Sequence, residues 1–198
     1  MPLKRMAGGE AAARRAPRGA KGTKELERLF VKRGFADVRW IDPREIVVAE
    51  WVRMKCRYGC GEYGRNAACP PNAPTVAECA RFIREYRRIA VFHFPKKVDR
   101  PEDRHAWSRK LNLELIKLEQ ELFKGGFFKA FLIFFDSCGI CLECTGSRTS
   151  CKEPKLARPT ADALGIDVYT TVRKIGYPIE VLSAYDQEMN RYAFLLVD

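Results

Sequence analysis

Long apolar runs are missing from this chain of 198 residues. No stretch reaches the roughly 18 uninterrupted apolar residues of a membrane-spanning helix, and the start of the chain lacks the apolar centre of a secretory signal. The expectation is a cytoplasmic protein with no membrane partner. Nucleotide signatures are missing as well: the chain has no glycine-rich dinucleotide fingerprint, no P-loop and no H-E-x-x-H motif. Flavin, nicotinamide and ATP sites therefore have no support in the sequence. Histidine is scarce, with 2 residues, and His93 lies in a short apolar run, where the residue is more often a satisfied structural group than a ligand.

Cysteine is what the chain has. Its 8 cysteines, read without a secretory signal, point to a reducing compartment where thiols hold metal rather than pair as disulfides. Four fall in Cys138-Gly-Ile-Cys141-Leu-Glu-Cys144-Thr-Gly-Ser-Arg-Thr-Ser-Cys151, a run similar to the ligand stretch of bacterial ferredoxins. A [4Fe–4S] cube needs four thiolates at the corners of a tetrahedron several ångströms across, and three thiols in one tight loop suit that demand. Zinc gathers four donors about one ion at roughly 2.3 Å, usually as two separated C-x2-C pairs. The run departs from the ferredoxin pattern in its last gap, which is six residues, and in Pro154, which follows Cys151 by three positions.

A second block reads Cys56-Arg-Tyr-Gly-Cys60 and then Cys69-Pro70-Pro71, with Gly59, Gly61 and Gly64 loosening the chain between them. Its fourth member is open. Cys79 is the nearest thiol, yet it falls in an expected helix, where a small buried hydrophobe is an equal reading. In two-cluster ferredoxins the cysteine before proline serves the other cluster, so Cys69 could join Cys138, Cys141 and Cys144 while Cys151 completes the first group.

The net charge of +11 is uneven. Residues 1–23 carry Lys4, Arg5, Arg14, Arg15, Arg18 and Lys21 against Glu10. An Ala/Gly/Arg-rich stretch of this kind is expected to be a disordered basic tail, either a nucleic-acid arm or a solvated extension. Residues 24–198, with the whole chain at 46% hydrophobic content, are expected to fold as a single cysteine-rich metal-binding α/β domain.

Along that domain, Thr23 reads as the N-cap of a helix over Lys24–Lys32. Val38–Ile41 and Ile46–Met54 read as strands, the second delivering Cys56, and Thr75–Arg88 reads as a helix. Ile89–Phe94 is an apolar strand, Glu102–Lys124 a long amphipathic helix, and Phe127–Phe135 a strand entering the Cys138 loop. A short helix is expected to end at Gly165, its N-terminal dipole facing a cluster, with Arg148, Lys152, Lys155 and Arg158 adding positive charge there. Another short helix follows near Tyr169–Ile175, and Ile179–Ser183 with Tyr192–Val197 read as a terminal antiparallel pair. The fold class is α/β, with α+β as the variant: a mixed β-sheet with flanking helices and two cysteine-rich metal-binding loops.

The motifs Lys55-Cys56-Arg-Tyr-Gly-Cys60, Tyr63-Gly-Arg-Asn-Ala-Ala-Cys69-Pro-Pro-Asn and Cys151-Lys-Glu-Pro-Lys-Leu-Ala-Arg-Pro-Thr-Ala-Asp-Ala-Leu-Gly-Ile-Asp-Val resemble the predicted metal-binding family called domain of unknown function 2284. The resemblance runs from about Glu25 onward. It implies that Cys56, Cys60, Cys69, Cys138, Cys141, Cys144 and Cys151 belong to the motif and that iron–sulfur content is suspected. The functional expectation is a binder of one or two [4Fe–4S] clusters. It would serve as a small electron carrier or redox subunit, rather than a stand-alone catalyst, and dock an acidic partner protein by electrostatic steering. The alternative is a zinc-stabilised structural module whose basic tail binds nucleic acid or a protein.

Overall fold

The computed structural model of the chain describes residues 22–184 and 186–198. All but the last two residues of the expected basic tail lie outside the described residues. Helix α1 spans Thr23–Lys32, β1 Val38–Ile41, α2 Glu50–Gly59, α3 Val76–Arg84 and β2 Ile89–Lys96. Then follow α4 (Pro101–Lys124), β3 (Phe131–Ile133), α5 (Val168–Lys174) and β4 (Met189–Leu196), with short 3-10 turns at Pro43–Glu45 and Asp162–Leu164.

The strands form one four-stranded sheet in the order β1-β2-β4-β3, each neighbouring pair antiparallel. Because β2 and β3 both run against β4, they are parallel to each other, and α4 is the crossover between them with β4 inserted in the gap. Both faces of the sheet are covered, which is why the central strands read as nearly continuous apolar runs. Ala90, Phe92, Ala193 and Leu195 point to one face, against Leu26 and Phe30 of α1 and Leu115, Leu118 and Leu122 of α4. Their sequence neighbours Ile89, Val91, Phe194 and Leu196 point to the other, against Ile83 of α3, Val172 of α5 and Leu164. The side-chain period of two along a strand thus divides one apolar run between two cores.

The mixed α/β sheet with flanking helices is as expected, and four details are corrected. Ile46–Met54 is no strand: the chain is extended to Ala49 and then turns into α2, so Cys56 sits on a helix. Glu50 in the first helical turn and the buried Val52 four positions before Cys56 favour that turn of events. The Phe127–Phe135 run pairs with β4 only over Phe131–Ile133. The segment Ile179–Ser183 forms no strand, and β4 pairs with β2 and β3 instead. The expected helix before Gly165 is a three-residue 3-10 turn, too short to present a helix dipole to anything.

That turn is nevertheless well anchored. Val48 and Ile166 form an isolated antiparallel bridge, Ala49 N–H donates to the Gly165 carbonyl at 2.8 Å, and Asp167 N–H donates to the Val47 carbonyl at 2.8 Å. Gly165 closes the turn at φ +76°, and an added Cβ would lie 3.1 Å from a methyl of Val76, which is itself buried. Gly165→Ala is expected to lower stability by about 1–3 kcal/mol, because it combines a left-handed backbone with a packing clash. A urea unfolding midpoint unchanged within error would refute it.

Candidate metal centre

The two cysteine blocks meet where β3 runs out. Beyond β3 the Phe134 N–H donates to the Pro159 carbonyl at 2.9 Å, and Phe134 bridges Thr160 in parallel. The Cys138–Cys151 segment is therefore a loop that leaves the end of the sheet and returns beside it. One face of α4 holds its base. Ser108 Oγ donates to Asp136 at 2.9 Å, the Arg104 guanidinium pairs with the same carboxylate at 3.1 Å, and Arg109 Nε donates to the Ile140 carbonyl at 3.1 Å. Arg104 and Ser108 lie one turn apart and Arg109 follows directly, so this part of the long helix fixes where Cys138 emerges.

The first block approaches from the other side. Cys56 lies in the last turns of α2, Cys60 caps its C-terminus, and Cys69 follows in a turn held by Cys69 N–H to the Asn66 carbonyl at 3.2 Å. Asn72 then ties the blocks together. Its amide nitrogen donates to the Asn66 carbonyl at 3.2 Å and the Gly146 carbonyl at 2.9 Å, while its oxygen accepts from Arg148 N–H at 3.4 Å. Gly146, at φ +74°, passes within 3.5 Å of the Gly64 carbonyl measured from the Cβ position it lacks, so the two loops touch backbone to backbone.

Seven cysteines, Cys56, Cys60, Cys69, Cys138, Cys141, Cys144 and Cys151, line one cleft of about 1510 Å³. Their electrostatic neighbours divide them. Cys69 feels Cys56 and Cys60, Cys138 feels Cys151 and Cys144, and the two groups adjoin through Cys69 and Cys138. Two sulfurs meet backbone amides: Ala67 N–H donates to Cys144 Sγ at 3.3 Å, and the amides of Ile140 and Arg158 donate to Cys138. The first of these crosses between the blocks. Among the described residues, no three Cys, His, Asp or Glu side chains are gathered closely enough to hold a single metal ion. The eight thiols are all free.

Cys79 is elsewhere. Its thiol is buried in the core beneath α3, contacts the Pro74 carbonyl at 3.7 Å, and does not face the cleft. His93 is likewise remote, held between Asp37 and Asn190 at 2.7 Å each and stacked on Tyr192.

Burial sets the protonation of three of the cleft thiols. It pushes Cys69 up to about 12, with the neighbouring thiols adding to the rise, and raises Cys56 and Cys138 as well, the latter opposed by its two amide donors. In the metal-free chain these sulfurs keep their protons at neutral pH, so any metal that binds must displace them. The charge expected around the loop is partly cancelled. Arg158 is locked to Glu119, its guanidinium 2.6 Å from a carboxylate that is only 6% exposed.

Several residues of this cleft escape a reading of the sequence. Asn72 and Ala67 join the blocks, His105 and Arg191 line the walls, and Asp162 stands beside Cys56 and Cys69. Asn72 has a signal in its place after Cys69-Pro-Pro, while Asp162 has one as the acid lying three positions before a turn glycine. The others act through backbone or long-range contact and carry no mark in the sequence.

Thiols from two distant stretches, gathered on one cleft at the end of a mixed α/β sheet, define a cysteine-rich protein of the metal-binding class. The chain belongs to the family described as Predicted metal-binding protein (DUF2284), whose family model matches residues 39–197. The resemblance carried by the cysteine motifs is thereby borne out. The chain matches no curated protein and no solved structure. Among the described residues, no helix is long and apolar enough to cross a membrane.

Proposed function

We propose that the chain is an iron–sulfur protein, holding one or two [4Fe–4S] clusters and passing electrons to or from a partner. The observation that carries this reading is the cleft itself, with seven thiols from two blocks and backbone amides turned toward two of the sulfurs. The donor chemistry fits: thiolate is the ligand of such clusters, and amide donors to sulfur stabilise the added negative charge of the reduced state. Cys138, Cys141, Cys144 and Cys151 would form one ligand set, and Cys56, Cys60 and Cys69 would belong to a second.

When bound, such a cluster supplies one-electron transfer. The chain's residues then have separate tasks. Arg109, Ser108 and Asp136 fix the base of the second loop, and Asn72 keeps the two ligand groups adjacent. The adjacency of Cys69 and Cys138 would place two centres close together, as a relay requires. Leu142, 91% exposed, and the exposed Val181 and Trp51 stand around the cleft and offer a partner an apolar contact beside the redox centre. An acidic partner is favoured only by the overall charge, since Arg65 and Arg104 on the cleft wall already face Glu62 and Asp136.

The test is anaerobic purification with iron, acid-labile sulfide and zinc quantified per chain, an absorption spectrum, and EPR after dithionite reduction. About four iron and four sulfide correspond to one cube and about eight to two. Zinc at one or more per chain, with no visible absorption, overturns the proposal in favour of a structural zinc module.

A further inference from the structure

Strands β3 and β4 separate beside the cysteine cleft. Their register runs from Phe131 opposite Leu196 to Ile133 opposite Phe194, and Phe134 then turns away to bridge Thr160. A second cavity, of about 120 Å³, opens where they part, with Phe134 and Phe135 on one wall and Met189 to Tyr192 of β4 on another. It shares Phe135, Thr160, Asp162, Val168, Tyr169 and Arg191 with the cleft, so the two spaces adjoin. We propose that this cavity binds a small carboxylic acid, a carboxylate on a short apolar body, and that Arg191 is the group that holds it.

Arg191 carries the assignment. Its side chain lines both spaces, and its Nε is buried without a hydrogen-bond partner. Among the described residues, its guanidinium makes no hydrogen bond and no ion pair. A buried charged donor left unpaired is costly, and native structures rarely keep one without a use. A planar guanidinium presents a fork of parallel donors that matches a carboxylate. The acids on the cavity wall do not fill that place: the Glu180 side chain is 81% exposed and reaches toward Arg173 at 3.6 Å, and Asp162 faces solvent.

The remaining walls set the body of the ligand. Phe134, Ile179 and Met189 are buried and apolar, so the end of the ligand away from Arg191 must be apolar too. The space is well below the roughly 300 Å³ of a drug-sized pocket and has room for roughly ten water-sized groups. A monocarboxylate of a few carbons meets both demands, whereas inorganic phosphate would leave the apolar walls without contact. The neighbours of Arg191 in β4 are already fixed. Asn190 Oδ1 meets His93 Nε2 at 2.7 Å, and Tyr192 stacks on the His93 ring while its hydroxyl donates to the Pro178 carbonyl. Walls held in this way lose little freedom when a ligand enters.

The cavity is formed by protein alone, so binding here stands or falls apart from the iron–sulfur reading. The experiment is isothermal titration calorimetry on the full chain, purified anaerobically as wild type, Arg191→Gln and Leu182→Trp, with circular dichroism checking the fold. The probes are acetate, butyrate, 1-butanol and inorganic phosphate. Wild type is expected to bind butyrate saturably at one per chain and more tightly than acetate, with 1-butanol and phosphate weaker by about tenfold or more. Arg191→Gln should weaken butyrate about 10- to 100-fold. Leu182→Trp enlarges a side chain on the cavity rim, where Leu182 is 38% exposed, and should weaken butyrate as well. Absence of saturable binding by either acid, or equal butyrate affinity in a folded Arg191→Gln, overturns the site. Phosphate bound more tightly than butyrate overturns the carboxylic acid as its ligand. Should Arg191→Gln fail to fold, Leu182→Trp decides, and unchanged butyrate affinity there overturns the site.

Discussion

Serine in place of Cys138 is expected to remove about four iron per chain while leaving the second group able to hold its own. Of the cleft thiols, Cys138 is among the best defined: it is 8% exposed, meets two backbone amides, and sits where the loop leaves the sheet. A hydroxyl there keeps the size but gives up the soft donor that iron demands. The control is Cys79→Ala, which trims a buried sulfur from the core beneath α3. It should cost about 1 kcal/mol of stability and leave the metal content as in wild type. Metal analysis of the two variants side by side is the measurement. Full iron in Cys138→Ser would remove that residue from the ligand set, and iron lost from Cys79→Ala at intact fold would return Cys79 to it.

The second large effect concerns Glu119. This residue of α4 is 4% exposed, and its carboxylate accepts from Leu132 N–H at 2.8 Å and from Arg158 through Nε at 3.0 Å and Nη2 at 2.6 Å. Leu132 belongs to β3, an edge strand, so the carboxylate closes an amide that has no strand beyond it. Arg158 also gives Nη1 to the carbonyls of Lys155 and Ala157, and its own amide reaches Cys138. One side chain thus holds together the long helix, the sheet edge and the returning limb of the cysteine loop.

Glu119→Ala is expected to destabilise the fold by about 3–5 kcal/mol, because it strands a half-buried guanidinium and a strand amide together. Glu119→Gln should fall between, since it still accepts from Leu132 and loses only the ionic part. Urea unfolding of the three proteins measures the series. An Ala variant within about 1 kcal/mol of wild type would show that Arg158 finds solvent on its own. The same contact bears on charge at the site: with Glu119 so near, Arg158 contributes little net field to the cleft.

Much of the scaffold is legible in local pattern. Helix α4 announces itself through Leu111, Leu115, Leu118 and Leu122 at helical spacing, and β2 and β4 through apolar runs of strand length. Ile46–Met54 misleads for a physical reason. Branched and aromatic residues suit strand and buried helix alike over so short a run: Val48, bridged to Ile166 over a hundred positions away, is extended, and the helix begins only at Glu50. Ile179–Ser183 has strand composition yet finds no pairing partner, because β4 is already paired with β2 on one side and β3 on the other.

The cysteine spacing by itself pointed to thiols as the chemistry and set them in two blocks, and the family resemblance implied which seven belong to the motif. Spacing is a local property, and ligation by a short loop is a local demand. Only the tertiary structure decided that the blocks share one cleft, that Cys69 adjoins Cys138 while Cys79 turns into the core, and that Asp162 stands beside Cys56. Those relations depend on a crossover helix, a sheet edge and a bridge between distant segments. They arise from long-range packing, which no window of sequence contains.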